Sequence, residues 1–231
     1  MNFQFNYTFY EKIILKIKKK TEPILFKNFK NQPSILIRHD IDLDPEFAVE
    51  IAKIESRYKV KSTFFFQIGC HNYNLLNYNN KKILIYIKSL GHEIGLHFDV
   101  ENYSRKDLRK KFVFEKKILE TISNSQIRSV SLHAPSLNNL YPYFKGYINA
   151  YDKKLFNNRI YLSDSCMNFR GKNIFKIIEN YNPKKDILQI LLHPMHFSKK
   201  QETLKKIVDS HISRYKSKTY EIFKKNSAFK K

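Results

Sequence analysis

The sequence predicts an α/β fold built on a parallel sheet, and two features of the chain indicate it. Short apolar runs recur along the chain, and stretches with helical periodicity separate most of them. Runs of this kind are typical of buried strands, and strands that alternate with helices form parallel sheets. Aspartate or histidine stands where several of these runs end. Because ligands bind at the carboxyl ends of parallel strands, these side chains are expected to converge on one enzymatic site.

Caps, breakers and apolar runs predict the elements in order. Thr8 to Glu11 has the pattern of a capping box for the first helix. Asp44 and Pro45 supply an N-cap and a first-turn proline for the second helix, and Gly91 ends the third. Predicted strands span about 34–42, 61–69, 92–98, 126–133, 159–164 and 186–193. Predicted helices span about 8–20, 45–58, 80–90, 104–122, 173–180 and 199–225.

A single domain is expected to account for the chain. Its 231 residues are enough for one α/β core, and neither a repeat nor a flexible linker divides them. The motifs occupy about residues 34–196. Helical segments at 1–33 and 197–231 are expected to flank this core.

The chain is strongly basic, with 43 Lys and Arg, 21 Asp and Glu, and a formal net charge of +22. A nucleotide, a nucleic acid or a membrane surface would account for this charge as an anionic partner. Compositional drift accounts for it more simply, because the lysines are spread over the whole chain. Aromatic residues do not interleave with the basic clusters as stacking on nucleic acid requires, so we expect no specific nucleic-acid partner.

Cysteine use and hydropathy favour a cytoplasmic protein. Only Cys70 and Cys166 occur, which gives neither a disulfide framework nor a CxxC metal motif. The amino terminus lacks the pattern of a signal peptide, and no apolar run is long enough for a transmembrane segment. The basic final helix is expected to pack on the fold, with weak association with an anionic membrane surface as the alternative.

Two carboxylates follow the first predicted strand. Asp40 and Asp42 are two residues apart, so their side chains share one face of the strand. Neighbouring carboxylates keep ordinary pKa values only with a cation between them. One could therefore bind a metal while the other acts as a base, with Asp44 left to cap the next helix.

Histidines end further strands. His97 is followed by Asp99 at the same spacing, and His133 and His193 each end an apolar run. A lone histidine is more often a core or surface residue, but several at strand ends predict a shared site. Imidazole and carboxylate groups are ligands of zinc-like metals, whose catalytic sites keep a position open. Four more histidines are weaker candidates, namely His39, His92, His196 and His211, and His211 is expected to be solvated.

Taken together, these motifs resemble the NodB-like polysaccharide deacetylase family, the carbohydrate esterase 4 type, in the branch whose first motif reads histidine-aspartate-x-aspartate. The resemblance implies a distorted, incomplete (β/α) barrel. It also implies a divalent metal, most often Zn²⁺, and hydrolysis of an N-acetyl group on an amino sugar. The matching segments are Arg38 to Asp42, Ser62 to Phe65, Gly91 to His97, Ser131 to Pro135, Tyr161 to Ser165 and Leu191 to Pro194.

The resemblance also implies a ligand set for the metal. Asp42 and His97 match two of the family's ligands. The family's second motif carries a further histidine where this chain has Glu101. We expect His133 to take that place, with Asp99 and Glu101 as alternatives.

The catalytic roles follow from the same motifs. Asp40 matches the base, and His193 matches the general acid that protonates the leaving amine. Arg38 would hold Asp40 ionised, as a nearby cation does. The residues assigned to the sugar pocket are Arg38, Asp164, Ser165 and Arg170. Asp164 and Ser165 could instead simply form a turn.

A cytoplasmic location favours a nucleotide-linked or lipid-linked acetamido sugar, used to build surface polysaccharide, as the substrate. One alternative is another metal-dependent amidohydrolase, for example one that removes a formyl group. The other is a non-catalytic module that binds glycans or anions, which Glu101 favours because it replaces a metal-binding histidine. The presence of all the other expected site residues argues against that module.

Overall fold

A parallel sheet of seven strands organises the chain. The computed structural model describes residues 4–157 and 159–225. The strands, β1 to β7 in chain order, are Ser34–Ile41, Thr63–Phe66, Glu93–Asp99, Ser129–His133, Ile148–Asn149, Tyr161–Ser163 and Ile187–Leu191. The helices, α1 to α6, are Tyr7–Lys20, Glu46–Arg57, Tyr78–Ser89, Leu108–Ser123, Ile174–Asn180 and Leu204–Phe223.

The order of the strands across the sheet is β5-β4-β3-β2-β1-β7-β6, and every pair is parallel. Within the described ranges, the edge strands β5 and β6 do not pair with each other, so the curved sheet stays open on one side. The predicted α/β class and the distorted, incomplete (β/α) barrel are confirmed.

Strand β1 lies near the middle of the sheet and is buried along its whole length. Ile35 and Ile37 pack in the main core, which the sheet forms with the helices. Leu36 packs on the other face, in a smaller cluster with Phe26 and Phe65. Since side chains alternate along a strand, residues 38, 40 and 42 follow Leu36 to the inner face of the open barrel.

The beginnings and ends of the helices agree in part with the prediction. The Asp44 carboxylate accepts a hydrogen bond from the Glu46 N–H at 2.9 Å, which confirms its capping role. Gly91 follows α3 with a φ of +91°, as a glycine after a helix commonly does. The predicted capping box at Thr8 is wrong, because Asn6 caps α1 by accepting from the Phe9 N–H at 2.8 Å.

Helix α6 begins at Leu204, later than predicted, and packs beside the start of α2. Arg214 pairs with Asp44 at 2.7 Å and with Glu46 at 2.8 Å. The prediction that His211 is solvated is wrong, because its side chain is only 8% exposed and lies 3.6 Å from Asp44. None of the described helices has the length and apolarity needed to cross a membrane.

Candidate active site

The carboxyl ends of β1, β3, β4 and β7 open into a cavity of about 610 Å³. We call it the active-site cavity. The structure brings to it every residue predicted as a base, an acid or a preferred metal ligand. These lining residues are Asp40, Asp42, His97, His133 and His193.

Asp40 is held by a fully buried arginine. The Arg38 guanidinium donates through Nε to Asp40 Oδ1 at 2.8 Å and through Nη2 to Oδ2 at 2.6 Å. The Ser131 hydroxyl lies 3.3 Å from the same Oδ2. Burial alone would raise the pKa of Asp40, but the charges of Arg38 and His97 and the hydrogen bonds from Arg38 together lower that pKa below its ordinary value. Asp40 is therefore ionised and fixed in orientation.

The assignment of Arg38 to substrate binding needs correction. Its side chain is 0% exposed and does not line the cavity. Nη2 also donates to the Tyr151 hydroxyl at 3.2 Å, and the guanidinium lies 4.7 Å from the centre of the Tyr151 ring. Arg38 is thus covered by Asp40 and Tyr151, and it acts on the site by orienting Asp40.

Asp42 and His97 are in direct contact. His97 Nε2 lies 3.0 Å from Asp42 Oδ1 and 3.5 Å from Asp40 Oδ2. The Nδ1 atom of the same ring lies 3.4 Å from the Ser131 carbonyl oxygen. Burial raises the pKa of Asp42, but the hydrogen bond and charge of His97 lower it well below its usual range. The Asp42 side chain is 24% exposed, so it is accessible from the cavity.

His133 lies beside this pair, with its ring centre 5.4 Å from that of His97. Its Nδ1 is 3.0 Å from Asp99 Oδ2. Neither alternative ligand lines the cavity: Asp99 is turned to His133, and Glu101 accepts a hydrogen bond from Asn138 at 2.5 Å. The structure therefore gives Asp99 an orienting role and leaves Glu101 outside the site.

The donor groups around Asp42 are of the chemical types that bind divalent metals, although the ligand atoms of Asp42, His97 and His133 do not all lie within 4.8 Å of one another. Both His97 and His133 use Nδ1 for a contact with an acceptor inside the protein. Histidines that bind metals commonly hold their second nitrogen in this way, which fixes the ring and its tautomer. One carboxylate with two imidazoles is a donor set of the kind found in catalytic zinc sites.

His193 approaches the other carboxylate oxygen of Asp42, with Nε2 3.5 Å from Oδ2. Its Nδ1 is 2.5 Å from Asp164 Oδ1, and its backbone N–H donates to the same carboxylate. Burial lowers the pKa of His193, but the charge and hydrogen bond of Asp164 outweigh it and raise that pKa to about 9. His193 is thus an oriented imidazole whose Nε2 faces the cavity.

The assignment of Asp164 to the sugar pocket is wrong. Its side chain is fully buried and does not line the cavity. Its Oδ2 lies 3.0 Å from His196 Nδ1, so one carboxylate joins two imidazoles. These three groups lie close enough together to hold a metal ion. Because three N–H groups already contact the Asp164 oxygens, we assign the cluster to positioning His193.

Ser165 and Arg170, which the sequence analysis assigned to the sugar pocket, line the active-site cavity. The Ser165 and Ser163 hydroxyls are 2.6 Å apart. Sequence reasoning missed the aromatic wall beside them, because three of its four members lie in loops, where no periodicity shows which way a side chain points. That wall consists of Tyr141, Tyr151, Phe156 and Tyr161.

Comparison with known proteins gives remote structural likenesses. No family profile matches the sequence, and no curated protein matches it. Among solved structures, BA3943 from Bacillus anthracis, described as a CE4 family pseudoenzyme, is 14% identical with a TM-score of 0.46, over 82% of this chain and 63% of that one. The chain thus spans less than two thirds of the length of that protein.

Two further structures are similar. Peptidoglycan deacetylase PdaC from Bacillus subtilis is 18% identical with a TM-score of 0.48, over 85% of this chain and 98% of that one. A family 4 acetyl xylan esterase from Clostridium thermocellum is 18% identical with a TM-score of 0.45, over 82% of this chain and 90% of that one. These three similar structures are thus a CE4 family pseudoenzyme, a peptidoglycan deacetylase and a family 4 acetyl xylan esterase.

Proposed function

We propose that the chain is a metal-dependent hydrolase that removes an N-acetyl group from an amino sugar. One observation carries the proposal: a single cavity holds a fixed carboxylate base, a carboxylate–imidazole donor set and an oriented histidine acid. The base and the acid lie close together, since His97 contacts both Asp40 and Asp42, and His193 contacts Asp42. A reaction that adds water to a carbonyl and protonates a leaving nitrogen requires these parts.

Asp42, His97 and His133 would hold the metal, and zinc suits this donor set. When bound, such an ion would polarise the acetyl carbonyl and make water more acidic. Orientation of the two rings by Ser131 and Asp99 would keep their nitrogens available to it.

Asp40 would take the proton from the attacking water. The paired guanidinium of Arg38 keeps Asp40 ionised and leaves it one orientation, which favours its action as a base. Loss of such a base typically costs about 10²–10⁴-fold in rate.

His193 would give its proton to the departing nitrogen through Nε2. The Asp164 carboxylate, which contacts Nδ1 of the His193 ring, keeps that ring protonated near neutral pH, since the pKa of His193 is about 9. The products would be acetate and a free amino sugar. The aromatic wall of the cavity offers flat apolar surfaces on which a sugar ring can pack.

We further propose a cytoplasmic, nucleotide-linked or lipid-linked precursor of surface polysaccharide as the substrate. The free thiols of Cys70 and Cys166 support a reducing compartment. The net charge of +22 supports an anionic substrate, and with basic helix α6 it supports weak association with an anionic membrane surface.

Metal content and acetate release together test the proposal. We expect about one divalent metal per chain, retained in Asp40→Asn and lost in Asp42→Ala and His97→Ala. Asp40→Asn should lose turnover by about 10²–10⁴-fold. His71→Ala is the matched control, because it removes an exposed histidine outside the cavity.

The outcomes separate the alternatives. Release of formate but not acetate would favour the other amidohydrolase. Absence of metal after incubation with zinc, together with no turnover, would contradict the proposal and favour a binding module.

A further inference from the structure

A second cavity adjoins the active-site cavity. It has a volume of about 990 Å³ and lies between the start of α1, the 166–173 segment, α5 and the residues before α6. We call it the side groove. The side chains of Cys166, Lys172 and Leu204 line both cavities, so the two share a border. A molecule in the active-site cavity could therefore extend into the side groove.

The lining of the side groove is polar and basic. Lys172 and Lys176 contribute cations, and four amide residues line the same groove. The one acidic lining residue, Glu202, is paired with Lys206 at 2.9 Å. Arg170 lines the neighbouring active-site cavity, so positive charge continues across the border. The amide residues are Asn168, Asn173, Asn180 and Gln201.

The segment that forms the border has an unusual backbone. Cys166 and Met167 each have a φ of +56°, Arg170 has +52° and Gly171 has +75°. Non-glycine residues seldom adopt this region, and such conformations concentrate at functional sites. The segment is nevertheless anchored, since Phe169 is buried in the main core. Its shape is thus a built feature of the wall between the two cavities.

We propose that the side groove binds a phosphate or diphosphate group attached to the acetamido sugar, while the sugar ring lies in the active-site cavity. This inference rests on the proposed function and specifies its substrate class. Lysine and arginine are the usual partners of phosphate oxygens, and their charge-assisted hydrogen bonds are stronger than neutral ones. The groove volume accommodates a diphosphate and part of its carrier. A nucleotide and a polyprenyl lipid share this diphosphate chemistry.

Kinetics on matched substrates test the inference. The probes are methyl N-acetylglucosaminide, UDP-N-acetylglucosamine and polyprenyl diphosphate N-acetylglucosamine in detergent micelles. We expect one or both diphosphate compounds to have the higher kcat/KM, and whichever is preferred identifies the carrier. Lys176→Gln should raise KM for that compound about tenfold or more, the worth of one charge-assisted hydrogen bond. Turnover of the neutral glycoside should stay within about twofold.

A control variant and the exposure of Lys176 make the test specific. Lys184→Gln removes an exposed lysine outside both cavities and should change neither KM. Lys176 is exposed, so its substitution does not endanger folding. Equal kcat/KM for neutral and diphosphate compounds, with no effect of the variants, would overturn the inference and leave the deacetylase proposal standing.

A binding experiment tests the groove even if the deacetylase proposal fails. If no acetamido sugar is hydrolysed, the deacetylase proposal fails, and calorimetry with inorganic diphosphate still tests the groove. Binding that weakens about tenfold in Lys176→Gln and falls with salt would support the groove as an anion site. No binding, or binding equal in the Lys176→Gln and Lys184→Gln variants, would overturn it.

Discussion

Glu115 of helix α4 should make the fold less stable as the pH rises. Its side chain is 1% exposed, and Oε1 accepts a hydrogen bond from the Tyr103 hydroxyl at 2.5 Å, while Oε2 is buried without a hydrogen-bond partner. Burial, aided by the charge of Asp99, raises the pKa of Glu115 from 4.5 to about 7. A tenfold change in an equilibrium constant corresponds to about 1.4 kcal/mol, so ionisation of this group costs roughly 3 kcal/mol of folding free energy.

Because the pKa of Glu115 is raised in the folded state, stability falls over a defined pH range. The folded state holds the proton more tightly than the unfolded state, so stability is full below pH 4.5 and declines as the pH rises to about 7. Glu115→Gln mimics the protonated carboxyl. Relative to the wild type, it should therefore gain roughly 3 kcal/mol between about pH 4.5 and pH 8.

Urea unfolding followed by far-ultraviolet circular dichroism, at intervals across this range, measures the difference. Glu120→Gln on the same helix is the control of opposite sign, because hydrogen bonds from Lys116 and the Ile127 N–H, with the charge of Lys116, together outweigh burial and lower the pKa of Glu120. A stability difference between Glu115→Gln and the wild type that does not change with pH would refute the reasoning.

Three further substitutions have definite outcomes. Arg38→Met leaves the buried Asp40 carboxylate without its ion-pair partner, so the free energy of unfolding in urea should fall by about 3–5 kcal/mol. An unchanged urea midpoint would contradict the pairing. Asp164→Asn removes the group that raises the pKa of His193 to about 9, so the alkaline limb of the pH–kcat profile should move to lower pH. If the alkaline limb of the profile stays at the same pH in this variant, His193 is not the acid. Gly95→Ala places a Cβ 2.5 Å from the Phe65 ring and should cost about 1–3 kcal/mol in thermal unfolding, unless that ring can move.

The sequence predicted the site best where a strand is long. Strand β1 has eight buried residues, so alternation alone assigns Asp40 and Asp42 to one face. Strands β3 and β4 likewise carry His97 and His133 to the same edge of the sheet. The direction of each of these side chains follows from the alternation of residues along a strand, and the apolar run identifies the strand.

Short elements explain what could not be predicted. Strand β5 has two residues, too few for any period. Strand β6 has three, so the direction of Asp164 just beyond it could not be inferred. The contact of Asp164 with His196 depends on a single 3₁₀ turn after β7. The burial of His211 depends on where α6 packs, which is a tertiary property.

The position of β1 between β2 and β7 has a consequence for folding. Arg38 is in register with Leu191, and His39 Nδ1 lies 2.8 Å from the Leu192 carbonyl oxygen, so the middle of the sheet joins distant parts of the chain. During synthesis, one edge of β1 stays without its neighbour until residues 187–191 have left the ribosome. Contacts of such long range slow folding and leave strand edges open to aggregation. His193, the proposed acid, reaches Asp40, the proposed base, only after β7 has been made, so a chain that ends before β7 would lack one of the two proposed catalytic groups.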